Sequence, residues 1–191
     1  MPPKTKITKE DIICCAYDIV KNEGADNINV RKIAEYLGCS TQPIYHNFRT
    51  VDELKMQVTE KIHSTYTEYM QKGATHPKPY FGMGMAYINF ARDFPNFFRL
   101  LFMSESKLSP ADFITNDSMR TNIIESGRMF SGLTQEQQKK FHLQVWIFTH
   151  GLASLAATNT VSFTDKEIEN ILGSTVREML IGFKLNSEEN S

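Results

Sequence analysis

The 191-residue chain is long enough to bury a sizeable core, in one large domain or two small ones. Its 41% apolar and 23% charged residues rule out wholesale disorder, and a net charge of −1 rules out a surface that is basic throughout. Three cysteines, Cys14, Cys15 and Cys39, with no Cys-x-x-Cys pair, argue against a disulfide framework and a thiolate zinc site and for a reducing compartment. No apolar stretch approaches the roughly 20 residues that span a bilayer. The start, MPPKTKITKED, has no signal-peptide core, so the expected location is cytoplasmic, away from membranes.

Helix signals dominate, and the expected class is all-α with about nine helices. Thr8 can cap a first helix whose apolar residues Ile12, Ile13, Ala16, Ile19 and Val20 share a face, and Gly24 ends it. A short second helix carries Val30, Ile33, Ala34 and Leu37 and stops at Gly38. A third runs over about 41–47, with Pro43 in its first turn, where no N–H is missed. Thr50 to Glu53 reads as a capping box opening a long helix, 51–72, with Leu54, Val58, Ile62 and Tyr66 four residues apart. After a loop at 73–79, helices are expected over 78–93, 95–104, 110–131, 134–160 and 164–184, followed by a frayed polar tail. Thr134 with Gln137 and Thr164 with Glu167 are two further capping boxes.

The segment from Val30 to Leu54 has the helix-turn-helix layout: two short helices about a tight glycine turn, then a long helix. Its residues, VRKIAEYLGCSTQPIYHNFRTVDEL, resemble the DNA-binding domain of the tetracycline-repressor (TetR) family. The resemblance rests on Ile33-Ala34, Gly38, Ser40, Tyr45, Phe48 and Glu53-Leu54, and covers about residues 8–55. Where that family places a phosphate-contacting lysine, this chain has Val51, leaving Arg49 or Lys55 to take the contact.

The resemblance implies a three-helix DNA-binding domain over 1–50 and a helical effector-binding and dimerisation domain over 51–191. The expected DNA contacts are Lys4, Lys6, Arg31, Ser40, Thr41, Gln42, Pro43, Tyr45, His46 and Lys55. Gln42 can pair bidentately with adenine, and the Thr41 methyl or Pro43 can pack on a thymine methyl. Tyr45 and His46 can donate to phosphates, and Lys4, Lys6 and Lys9 can reach neighbouring phosphates or the minor groove. Placement matters here because residues 1–62 carry nine basic and nine acidic side chains and so have no bulk positive charge. Read without the resemblance, Tyr45 covers the core with its hydroxyl in water, His46 is a surface histidine, and the lysines are a solvated start.

Residues 75–185 are rich in Phe and Met, which build cores and also line adaptable pockets. The W-x-x-x-H-G run at Trp146, His150 and Gly151, and FARDFPNFFRLLF (90–102), resemble one TetR subgroup. A small apolar or aromatic effector is then expected among Tyr66, Tyr87, Phe90, Phe102, Met129, Trp146 and His150. Trp146 and His150 read equally as a packed tryptophan beside a satisfied core histidine.

The last two long helices are the expected homodimer surface, with Gly151, Ala153, Ala156 and Ala157 allowing close approach. A dimer would set two recognition helices roughly 34–36 Å apart on a palindromic double-stranded operator. The tilt of helix 51–72 would be the lever by which an effector releases it. The alternative is a DNA-binding adaptor or nucleoid-associated protein of the same fold with no effector. An enzyme is not expected. No phosphate loop or Gly-x-Ser-x-Gly is present, and His46, His63, His76, His142 and His150 lack metal spacing, so no catalytic residue, metal or cofactor is assigned.

Overall fold

The computed structural model describes residues 7–104 and 128–188. Its helices are α1 (Lys9–Glu23), α2 (Val30–Tyr36), α3 (Gln42–Asn47), α4 (Val51–Ala74), α5 (Pro79–Asp93), α6 (Pro95–Phe102), α7 (Gln135–Ala157) and α8 (Asp165–Glu188). Two 3-10 turns, Ala25–Asn27 and Arg128–Phe130, complete the described residues, which hold no strand, so the all-α expectation holds. The helix expected over 110–131 lies outside the described residues except at its end, where the 3-10 turn stands.

Helix starts follow local side-chain chemistry. Thr8 accepts from the Asp11 N–H at 3.1 Å while the Asp11 carboxylate accepts from the Thr8 N–H at 2.8 Å, satisfying two orphan donors reciprocally. Thr134 with Gln137 and Thr164 with Glu167 do the same. At α4 the box is skewed: Thr50 Oγ1 accepts from Glu53, but the Glu53 carboxylate takes the Arg49 N–H at 2.9 Å.

Four helix ends differ from expectation, the simplest being α6, which stops at Phe102 rather than 104. Gly73 lies inside α4 rather than ending it, because the helix needs a residue with no side chain there. A Cβ on Gly73 would sit 2.6 Å from the Gly82 carbonyl of α5, and one on Gly82 would run into the Gly73 carbonyl. α7 stops at Ala157 rather than 160. Asn159 takes the left-handed position (φ 53°), and the Thr160 N–H turns back to the Leu155 carbonyl at 3.1 Å. α8 runs on to Glu188, since no glycine or proline after 184 interrupts its ladder.

The described residues pack as two compact units, one comprising residues up to Glu68 with Phe94–Ser104, the other Tyr69–Asp93 with residues from 128 onward. The sequence places a functional boundary at 50/51; packing divides the chain within α4, because Leu54, Val58 and Ile62 are buried residues of the first unit. There, α1 meets α2, α3 and α6 over Ile12, Ala16, Ile33, Ala34, Ile44 and Phe48. Tyr17 packs on Phe97 at 4.7 Å between ring centroids, and Asn96 donates to the Lys21 carbonyl at 3.0 Å.

In the second unit α5 packs against α7 and α8, which also pack on each other. Met83, Tyr87, Phe90, Phe141, Val145, Leu152, Ile168 and Leu172 fill the space between them. Ala153 and Ala157, expected on a partner-facing surface, are buried inside this unit; Ile147, Gly151, Ile181 and Leu185 are the exposed small or apolar residues on α7 and α8. No helix among the described residues is long and apolar enough to cross a membrane.

Candidate functional site

The turn between α2 and α3 is set by its backbone. Gly38 takes φ +61°, a left-handed conformation that costs glycine little, and its N–H donates to the Glu35 carbonyl at 3.1 Å. The Cys39 N–H donates to the Ala34 carbonyl at 2.9 Å, completing a Schellman end. α2 is tied to the end of α1 by Glu23, which accepts from Tyr36 at 3.0 Å and pairs with Lys32; those two donors hold its carboxyl below the usual range, Lys32 contributing most.

Beyond the turn, the Thr41 carbonyl receives the Ile44 and Tyr45 N–H groups at 3.2 Å each, while its side chain makes no cap bond. Pro43 fits the first turn of α3, and its carbonyl accepts from the Asn47 amide at 2.7 Å. Ile44 (1% exposed) and Phe48 (2%) face the core, which fixes the rotation of α3. Tyr45 is therefore 60% exposed, Ser40, Gln42 and His46 are exposed, and Thr41 and Pro43 are half-buried.

Ser40, Gln42, Pro43 and His46 line an open depression of about 1080 Å³, whose other walls are Ile7–Lys9 and Leu37–Cys39. Arg31 is exposed in the first turn of α2, and Lys55 is exposed on α4. Lys4 and Lys6 lie outside the described residues. Lys9, read from sequence as able to reach a neighbouring phosphate or the minor groove, sits 3.9 Å from Glu53 and over the Phe48 ring, where it braces the start of α4. The Ile7–Lys9 wall was legible only as a lysine cluster, since its position depends on how α1 packs.

The residues expected around an effector fall in different places. Tyr66 and Phe102 belong to the first unit and meet edge to face at 5.0 Å. In the second unit, the Tyr87 hydroxyl bonds His150 Nδ1 at 2.9 Å, and Trp146 stacks on the His150 ring at 5.1 Å. Burial pushes the His150 pKa down. Phe90 is fully buried and packs on Tyr69, and Met129 lines a separate cavity with Tyr80, Phe81 and Phe130.

Sequence reasoning missed a second pair of the same kind. The Tyr80 hydroxyl lies 3.0 Å from His142 Nδ1, one step along the same two helices. The signal was present: His142 and His150 are eight residues apart on α7 and Tyr80 and Tyr87 seven apart on α5, each about two helical turns, so both pairs fall on one face of each helix and two hydrogen bonds tie the faces together. Among the described residues no group of three or more His, Cys, Asp or Glu side chains gathers as for a metal.

No protein-family model matches the chain, and no curated protein matches it. Its structure is similar to the crystal structure of a TetR-like transcriptional regulator from Rhodococcus sp. RHA1, with a TM-score of 0.65 and 14% sequence identity, over 91% of this chain and 95% of that one. At that identity the likeness establishes the fold: an all-helical chain built like a TetR-like regulator along nearly its whole length.

Proposed function

We propose that the protein is a DNA-binding transcriptional regulator, a homodimeric repressor that leaves a palindromic operator when a small organic effector binds its second unit. The observation that carries this reading is the orientation of α3. Ile44 and Phe48 anchor it, so Gln42, Tyr45 and His46 stand in solvent beside Ser40 at its leading end. A short helix held this way can enter a major groove, with Gln42 toward a base edge and Tyr45 toward a phosphate. Arg31 and Lys55 then serve as backbone contacts, and Lys55 or Arg49 takes the role that Val51 cannot fill. The fold likeness supports the same reading. Exposed Ile147, Gly151, Ile181 and Leu185 on α7 and α8 support pairing through those helices.

The test is selection of bound sequences from a random duplex pool with the purified protein. Enrichment of a two-fold symmetric site is expected, and recovery of random sequence would refute the reading. A selected site whose affinity no small molecule changes would point instead to an adaptor of the same fold.

A further inference from the structure

Two voids in the second unit share a wall. The outer one, about 930 Å³, is bounded by residues 76–81, Met129–Phe130 and one face of α8. The inner one, about 20 Å³, has room for about one water and lies among Met83, His142, Trp146, Thr149 and Leu172. Tyr80, Phe81 and Val176 line both, and Tyr80 is held between them by its bond to His142.

The outer void is graded in polarity. Phe81, Phe130, Val176 and Leu180 give it an apolar floor, and Lys78 and Arg177 stand exposed on its lining with Glu169 as the single acid among the described residues. On α8, Gly173 lies midway between Glu169 and Arg177. A Cβ added there would meet only Phe81, at an ordinary 3.6 Å, so a methyl fits at this lining position and only a longer side chain would take up the space. The volume lies in the range of organic-ligand sites, and an apolar body with one charged end matches such a lining.

We propose that this void binds an amphipathic organic anion, its apolar body over Phe81 and Phe130 and its anionic end between Lys78 and Arg177. Binding stands independently of the regulator reading; only its consequence, operator release, rests on that reading.

The test is calorimetry on the full chain with decanoate and decyltrimethylammonium below their micelle concentrations and decan-1-ol below its solubility limit. Decanoate should bind at least about tenfold more tightly than the alcohol, as a charge-assisted contact implies, and the cation most weakly. Arg177→Gln and Lys78→Gln should each weaken decanoate about tenfold and leave the alcohol unchanged. Gly173→Leu, which puts a side chain into the void, should abolish binding of all three, while Gly173→Ala retains it.

Absence of decanoate binding, equal affinity for the three head groups, or preference for the cation would overturn the site. So would a folded Gly173→Leu variant that binds as before. Should Gly173→Leu not fold, the exposed Arg177→Gln decides: decanoate affinity unchanged by it refutes the anion contact. Decanoate that binds without altering operator affinity leaves the site standing and removes its role in release.

Discussion

Tyr45 and Tyr87 are the same side chain put to opposite uses. Tyr45 follows the buried Ile44 on a six-residue helix and is 60% exposed, whereas Tyr87 is fully buried in the second unit with its hydroxyl on His150. The first unit buries an apolar face and turns its polar residues outward. The second carries tyrosine–histidine pairs at the margin of its core, Tyr87 and His142 buried and Tyr80 and His150 half-buried. An outward polar residue can be replaced at little cost in stability and much cost in recognition. An inward one is coupled to packing, so its loss is felt by the fold first.

That contrast can be broken at adjacent positions. Ile44→Ala should cost about 2–5 kcal/mol in urea unfolding, while Tyr45→Ala stays within about 0.5 kcal/mol. Equal costs would mean that α3 is not anchored as described. Gly38→Val forces a β-branched residue into φ +61° and should cost about 1–3 kcal/mol, with loss of DNA binding as the turn shifts.

In the second unit, Tyr87→Phe should cost about 1 kcal/mol and leave DNA binding near wild type, because it removes one part-buried hydrogen bond and alters no exposed residue of α3. His150 adds a pH dependence. Burial disfavours its imidazolium, so the unfolded chain takes the proton more readily, and stability is full above about pH 6.5 and falls as pH drops below it. Thermal melts between about pH 7.5 and 5.5 should show a smaller decline for His150→Phe than for wild type. The smallest expected effect is that of Lys55→Gln, which should lower the salt dependence of DNA binding by roughly one unit of slope per lost phosphate contact, with stability unchanged.

The parts of this fold legible in the sequence are those decided within a few residues. Thr8, Thr134 and Thr164 open helices through partners three residues on, and Gly38 and Pro43 shape the turn by their own backbone preferences. Asn159 was also a local signal, overlooked because asparagine takes the left-handed position less often than glycine. The expected effector set was less legible. Tyr66 and Phe102 lie on apolar helix faces in the sequence, as Tyr87 and His150 do, yet a face read along one helix does not say which other helix it meets. Gly73 misled for the same reason: its role is a contact with Gly82 in the next helix, which spacing along one helix cannot reveal.

The most direct measurement compares wild type and Gln42→Ala on the selected operator and every single-base variant of it. If α3 presents Gln42 to a base edge, wild type should prefer one base at one symmetric position by about 1–3 kcal/mol, and the variant should bind all four bases there alike while keeping its other preferences. A variant whose preference at every position matches wild type would contradict the placement of α3 in the groove.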